Sequence, residues 1–236
     1  MLTVTDRGFW CVVPAAGAGH RMGGGIPKQH LRIGSRTLLA WTLERLASHP
    51  RIAGLMVVLA QGDAHWDGVA QWLGKPVRVA TGGGTRAESV LAGLRALSGE
   101  VAQQEFVLVH DAARPLVRHA DIGRLMDLAV ESGGALLAAP VRDTLKRADA
   151  HGFVEATESR ESRWRAMTPQ MFRRSELESA LESAIAAGTS VTDEAMAMEL
   201  IGLAPLLVEG SDDNLKVTTA ADLALAEFLL GACAAE

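Results

Sequence analysis

Cysteine is nearly absent from this chain of 236 residues: Cys11 sits inside an apolar run and Cys233 close to the end. Two thiols so far apart in sequence exclude a disulfide scaffold or a thiolate metal site and fit a reducing cytoplasm. A basic excess is also lacking. The formal charge is −5, from 23 Lys and Arg against 28 Asp and Glu, which leaves no cationic footprint of the kind a dedicated nucleic-acid binder needs. No segment approaches the ~18 consecutive apolar residues of a membrane span, and the opening residues lack the apolar stretch of an export signal. The expectation is a cytoplasmic protein with no nucleic-acid and no membrane partner. Internal repeats, low-complexity tracts and Pro/Ser-rich linkers are missing too, which predicts a single domain over residues 1–236.

What is present is 48% hydrophobic residues in a repeating order. Short apolar runs at 9–13, 55–60, 77–80, 106–110 and 135–140 read as strands. Between them, 37–48, 64–73, 85–97 and 122–131 carry apolar residues three and four apart, as in Val90, Leu91, Leu94 and Leu97, and read as helices. Strand and helix in alternation predict an α/β fold, a parallel sheet with crossover helices. Further on, 175–187 and 192–201 read as helices, followed by short apolar segments at 205–209 and 216–218 and a last helix within 220–230. From Arg142 to Arg165 the alternation breaks: charges crowd, apolar residues thin out, and His151-Gly152 falls midway. That stretch reads either as a polar hairpin projecting from the domain or as a mobile surface loop.

Four segments could carry chemistry. The first strand runs into Pro14-Ala15-Ala16-Gly17-Ala18-Gly19-His20-Arg21-Met22-Gly23-Gly24-Gly25-Ile26-Pro27-Lys28. Small residues let a backbone approach a ligand closely, and successive N–H groups in such a loop form a concavity for phosphate oxygens. No acidic residue lies between Asp6 and Glu44, whereas Arg7, Arg21, Lys28, Arg32 and Arg36 do, which predicts an anionic ligand. A dinucleotide fingerprint fails because Met22 stands where its third glycine belongs, and a Walker A loop fails because Gly74-Lys75 is followed by Pro76. A second glycine cluster, Thr81-Gly82-Gly83-Gly84-Thr85-Arg86, falls between strand and helix, with Ser89 one turn on. It reads either as a reader of a base edge and a ribose or as a capped αβ connection. At the end of another strand, Asp111 in His110-Asp111-Ala112-Ala113-Arg114-Pro115 is placed to accept from ligand hydroxyls or metal-bound water, or to cap the next turn. Lys216 in Asp213-Asn214-Leu215-Lys216-Val217-Thr218 faces either a ligand or solvent.

Taken jointly, these blocks resemble a known family. The glycine loop with Arg21-Met22 and Pro27-Lys28-Gln29, Arg86-Ala87-x-Ser89-Val90, His110-Asp111-Ala-Ala-Arg114-Pro115, Ala139-Pro140-Val-x-Asp143-Thr144-x-Lys146, Thr168-Pro169-Gln170, Thr192-Asp193-Glu194-Ala195 and Asp213-Asn214-x-Lys216-Val217-Thr218 occur in order over nearly the whole chain. They are similar to the 2-C-methyl-D-erythritol 4-phosphate cytidylyltransferases. The resemblance implies a Rossmann-like three-layer α/β/α nucleotidyltransferase fold with a mostly parallel sheet and a projecting β-hairpin arm at 141–166. It implies cytidylyl transfer from CTP to the acceptor phosphate with release of pyrophosphate, with Mg²⁺ held mainly by CTP phosphates and no protein metal site. Arg21 and Lys28 would stabilise charge at the α-phosphorus, and Arg160 and Lys216 would orient the acceptor's phosphate. Ala15, Ala16, Gly17, Gly83 and Ser89 would line the cytidine site. Asp111, Thr144 and Thr168 would contact the acceptor, and Arg86, Ala112 and Arg114 complete the implied substrate-binding set. In the family the arm embraces a second subunit of a homodimer, so Thr144 and Arg160 would serve the neighbour's site.

The chemistry agrees with the blocks. A phosphate monoester has a second pKa near ~6, so its attacking oxygen is already ionised at neutral pH and no nucleophile–base pair is needed. Bringing two polyanions into line asks for cations and positioning. Two positions depart from the family pattern: His30 stands where an aromatic often follows Lys-Gln, and Gly84 replaces a frequent aspartate, leaving backbone contacts to read the base. His20, His30 and His110 are taken as packing or solvent residues. The chain ends soon after its last helix, so no fused cyclodiphosphate synthase domain is expected. A ribitol-5-phosphate cytidylyltransferase and a non-catalytic nucleotide-binding subunit are the alternatives.

Overall fold

The computed structural model describes residues 8–17 and 25–233. Its centre is a sheet in which alternate side chains leave in opposite directions, so each strand feeds two cores. Strand β1 (Phe9–Ala15) sends Cys11 and Val13 toward one face, where Leu39 and Leu43 of α1 (Leu38–Ala47) and Ile122 and Leu125 of α3 (His119–Ser132) pack. Trp10 and Val12 go to the other face, against Val90 and Leu94 of α2 (Arg86–Ala96) and Leu177 and Leu181 of α4 (Arg174–Ala186). Each fully buried leucine of this kind contributes about 2 kcal/mol.

The remaining strands are β2 (Arg32–Ile33), β3 (Arg36–Thr37), β4 (Ile52–Leu59), β5 (Gln71–Trp72), β6 (Lys75–Thr81), β7 (Phe106–Val109), β8 (Gly134–Pro140), β9 (Leu145–Ala148), β10 (Val154–Glu158), β11 (Trp164–Arg173) and β12 (Leu206–Glu209). The large sheet runs β12-β8-β11-β7-β1-β4-β6-β5. β1 is parallel to β4 and β7, β4 to β6, and β12 to β8, while β11 lies antiparallel between β7 and β8. Helices cover both faces, which is the three-layer, mostly parallel architecture the sequence implied. α5 (Glu194–Leu200) leans on α4, and α6 (Ala220–Cys233) closes a small third core with Ile33, Leu38, Val217, Ala226 and Leu230.

Three segments differ from the sequence reading. Residues 64–73 form no helix. Trp66, Val69 and Trp72 are three apart, but Gly68 takes φ +70°, and turns with Gly62, Leu73 and Gly74 at positive φ surround the short strand β5. Trp72 instead packs on the α1 core and donates its indole N–H to Glu44 at 2.8 Å. β11 was legible only as the motif Thr168-Pro169-Gln170, because polar residues at central strand positions disguise a buried strand. Residues 216–218 form no ladder, although the Val217 N–H donates to the Ala113 carbonyl at 2.9 Å.

The charged stretch is a hairpin. β9 and β10 pair antiparallel as their own two-stranded ladder, with Asp149 accepting from the His151 and Phe153 N–H groups at the turn. Its base is closed by the Val141 N–H on the Arg163 carbonyl. Phe153 and Val154 at its end are 73% and 64% exposed.

Candidate active site

A cavity of about 390 Å³ opens at the carboxyl ends of β1, β6 and β7, where an open α/β sheet presents backbone to ligands. One wall is Pro14, Ala15, Ala16 and Gly17 at the end of β1. Their course is fixed by Gln29, whose Nε2 donates to the carbonyls of Ala15 at 2.7 Å and Gly17 at 3.1 Å. Gln29 lies in a single 3-10 turn, Lys28–His30, so the same turn presents Lys28 to the cavity; Lys28 Nζ is 3.5 Å from the Val217 carbonyl. The facing wall is Gly83, Gly84, Thr85, Arg86 and Ser89. Thr85 caps α2 in a reciprocal box with Glu88, which puts Arg86 at the helix's first position. The Ser89 hydroxyl donates to the Thr85 carbonyl at 2.9 Å. Gly82 is the point where the walls touch: a Cβ there would lie 2.6 Å from Ala16 Cβ and 2.7 Å from Ser89 Oγ.

The floor is Asp111, Ala112 and Ala113, just beyond β7, with Lys216 and Thr218 beside them. Asp111 is ringed by three cations. Its Oδ1 meets Arg86 at 3.1 Å, and its Oδ2 meets Lys216 Nζ at 3.0 Å and Arg114 Nε at 3.4 Å. Burial works against the carboxylate's charge, but Arg86, Lys216 and Arg114 outweigh it and hold the carboxyl well below the usual range. Arg86 also meets Glu194 in a bidentate pair at 2.5 and 3.1 Å. Burial opposes the guanidinium's charge as well, yet Glu194 and Asp111 together raise its pKa above the ordinary value.

Beneath the floor a chain of hydrogen bonds sets the backbone. The Asp111 N–H donates to Thr168 Oγ1 at 3.0 Å, the Thr168 hydroxyl reaches His110 Nδ1 at 3.0 Å, and His110 Nε2 reaches the Arg114 carbonyl at 3.0 Å. A ring that accepts at Nδ1 and donates at Nε2 is neutral, and burial lowers the His110 pKa to about 4. Arg114 Nη1 donates to the Asn214 carbonyl at 2.5 Å, and Asn214 Nδ2 donates to the Thr168 carbonyl at 2.8 Å, so the turn that carries Lys216 is tied to the same layer.

Ten of the residues singled out in the sequence therefore meet at one cavity: Ala15, Ala16, Gly17, Lys28, Gly83, Arg86, Ser89, Asp111, Ala112 and Lys216. Thr168 and Arg114 stand behind its wall, buried, with their polar groups engaged by His110, Asp111 and Asn214. Thr144 and Arg160 sit at the arm, outside this lining, and Arg160 donates to the Arg142 carbonyl. Arg21 lies outside the described residues. His30 pairs with Asp63 at 2.9 Å and stacks on His65, away from the chemistry. Sequence reasoning missed Gln29 and Glu194 as site-forming residues. Both fall inside motifs, but an amide after a lysine and an acid at a helix start carry no sign that they turn inward.

A three-layer α/β/α fold with a small-residue, cation-walled cavity at the carboxyl edge of its sheet is the frame of a protein that binds a phosphate-bearing ligand. The comparisons narrow the class. Residues 9–232 match the model of the family described as IspD, 2-C-methyl-D-erythritol 4-phosphate cytidylyltransferase. The enzyme of that name from Stenotrophomonas maltophilia (strain K279a) is 60% identical over 223 residues, 94% of this chain and 96% of its own. A crystal structure of a 4-diphosphocytidyl-2C-methyl-D-erythritol synthase superposes with TM-score 0.82 at 37% identity, covering 95% of this chain and 99% of the other. The Francisella tularensis 2-C-methyl-D-erythritol 4-phosphate cytidylyltransferase does so with TM-score 0.80 at 32% identity, covering 94% and 99%. The chain belongs to the 2-C-methyl-D-erythritol 4-phosphate cytidylyltransferase family.

Proposed function

We propose that this chain transfers a cytidylyl group from CTP to 2-C-methyl-D-erythritol 4-phosphate, forming 4-diphosphocytidyl-2-C-methyl-D-erythritol and pyrophosphate. The observation that carries the reading is the cavity itself, in which Arg86 and Lys216 meet the Asp111 carboxylate and Lys28 lines the same space between two walls of small residues in a member of this family. An acceptor phosphate oxygen attacks the α-phosphorus, that P–O bond forms, and the bond to the β-phosphate oxygen breaks as pyrophosphate leaves. Lys28, with Arg21, answers the charge that develops at the α-phosphorus; Lys216 orients the acceptor phosphate. Backbone and hydroxyl groups of Ala15, Ala16, Gly17, Gly83 and Ser89 hold the cytidine.

Magnesium enters as the counter-ion of the triphosphate. Asp111 has both oxygens engaged by cations, and among the described residues no three His, Cys, Asp or Glu side chains gather as a metal site. When bound, the ion would be held by CTP oxygens and water and would offset triphosphate charge. We read the arm at 141–166 as the clasp of a homodimer, supported by the uncovered Phe153 and Val154 and by Thr144 and Arg160 standing apart from the cavity of their own chain. No helix among the described residues is long and apolar enough to cross a membrane. Pyrophosphate release with CTP, Mg²⁺ and each acceptor tests the function: methylerythritol phosphate should be strongly preferred to ribitol 5-phosphate. The reverse preference, or no release with either, overturns the reading.

A further inference from the structure

Helix α5 is tied to the cavity wall through Glu194. Glu194, its first residue, is fully buried and lies outside the cavity lining, yet its two oxygens meet two nitrogens of Arg86. A bidentate pair fixes the plane of a guanidinium, not only its position. Arg86 so fixed turns Nε to Asp111 Oδ1 at 3.1 Å, and Asp111 Oδ2 is left to Lys216 at 3.0 Å, with Arg114 further off at 3.4 Å. The contacts run carboxylate, guanidinium, carboxylate, ammonium from α5 to a lysine on the cavity wall.

Two anions and three cations make up this group. With Glu194 uncharged, Arg86 would have one anionic partner instead of two and would be drawn across both Asp111 oxygens, in competition with Lys216. The start of α5 does not depend on the Glu194 carboxylate. Asp193 caps it through the Met196 N–H at 3.0 Å, and Gln170 accepts from the Ala195 N–H at 2.7 Å while donating to Asp193 at 3.0 Å. Holding the helix is other residues' work, so the carboxylate's contacts serve Arg86.

We infer that Glu194 is a positioning residue for the transfer: it locks Arg86 so that Asp111 stays available to Lys216 and the ammonium keeps its place on the cavity wall. The inference rests on the proposed reaction at this cavity. Steady-state pyrophosphate release by the full chain, with CTP, Mg²⁺ and methylerythritol phosphate, is compared for wild type, Glu194→Gln, Glu194→Asp, Arg86→Lys and the Glu194→Gln/Arg86→Lys double variant. Each rate is normalised to the folded fraction. Glu194→Gln should lose about tenfold or more in kcat with the KM for CTP moved by less than about threefold, and Glu194→Asp should recover part of that loss. The double variant should be no slower than the slower single one, because both changes act through one guanidinium. A folded Glu194→Gln with kcat within about twofold of wild type, or losses that multiply in the double variant, overturns the inference. If Glu194→Gln does not fold, Glu194→Asp decides: with its shorter stem it must lose more than about twofold in kcat, and an unchanged kcat with a lower melting temperature means a structural role alone. An inactive wild type overturns the proposed reaction and this inference with it, whereas an active wild type with unaffected variants overturns only the inference.

Discussion

Asp111→Asn removes one charge from the floor of the cavity while leaving its volume in place. Lys216 at 3.0 Å, Arg86 at 3.1 Å and Arg114 at 3.4 Å then lose their shared anion, and Glu194, paired with Arg86, is the one carboxylate left in the group. Stripping one partner from a buried pair costs about 3–5 kcal/mol. Lys216 and Arg86 are partly open to water and can turn toward it, which puts the cost at the lower end, about 3 kcal/mol. At roughly 2–4 °C per kcal/mol for a chain of this size, the melting temperature should fall by about 6–12 °C. A generic packing defect would do no more than that. A cluster of unpaired cations would also gain affinity for polyanions, so millimolar pyrophosphate should raise the melting temperature of the variant by more than it raises that of wild type. Thermal melts of both proteins, with and without pyrophosphate at constant ionic strength, check this. A loss below about 2 °C, or an equal gain from pyrophosphate in both proteins, would refute the cation-ring account.

Burial of His110 makes stability fall in acid. Its folded pKa is near 4 against 6.5 unfolded, so between those values only the unfolded chain takes up the proton, and stability drops by about 3 kcal/mol as pH falls from 6.5 to 4. Urea melts at about pH 7 and pH 4.5 should show a smaller acid loss for His110→Gln; equal losses contradict the assignment. Gly82→Ala should drive the two cavity walls apart, since the added carbon would meet Ala16 at 2.6 Å and Ser89 at 2.7 Å. Strain of about 1.4 kcal/mol or more corresponds to a rise of about tenfold in the KM for CTP, and an unchanged KM would mean the walls do not grip the nucleotide. Mixing Lys28→Ala with Arg160→Ala subunits should restore about a quarter of wild-type activity, because half of a randomly exchanged dimer population is mixed and holds one intact site each. No recovery despite verified exchange rules out a shared site.

The strands and helices that bury alternating or three-and-four spaced apolar residues were legible, because that spacing is what two-sided burial requires. Val90, Leu91, Leu94 and Leu97 marked α2 closely. The spacing of Trp66, Val69 and Trp72 misled, since a glycine at φ +70° turns the chain where a helix would carry it on. β11 escaped because Thr168 and Gln170 bury polar groups against partners more than twenty residues away, His110 and Asp193, which no local pattern announces. The same limit governed the site. Glycines, cations and Asp111 stood out by type and position. Glu194 and Gln29 act by where the fold turns them, and Thr168 and Arg114 are directed into the layer behind the wall.

If a cation on the cavity wall answers the charge that develops at the α-phosphorus in the proposed transfer, turnover by Lys28→Ala must show it. In the folded variant kcat should fall by about 10²–10³ while the Kd for CTP changes by less than about tenfold, the mark of a contact made chiefly in the transition state. A folded Lys28→Ala enzyme with kcat within about threefold of wild type would contradict it.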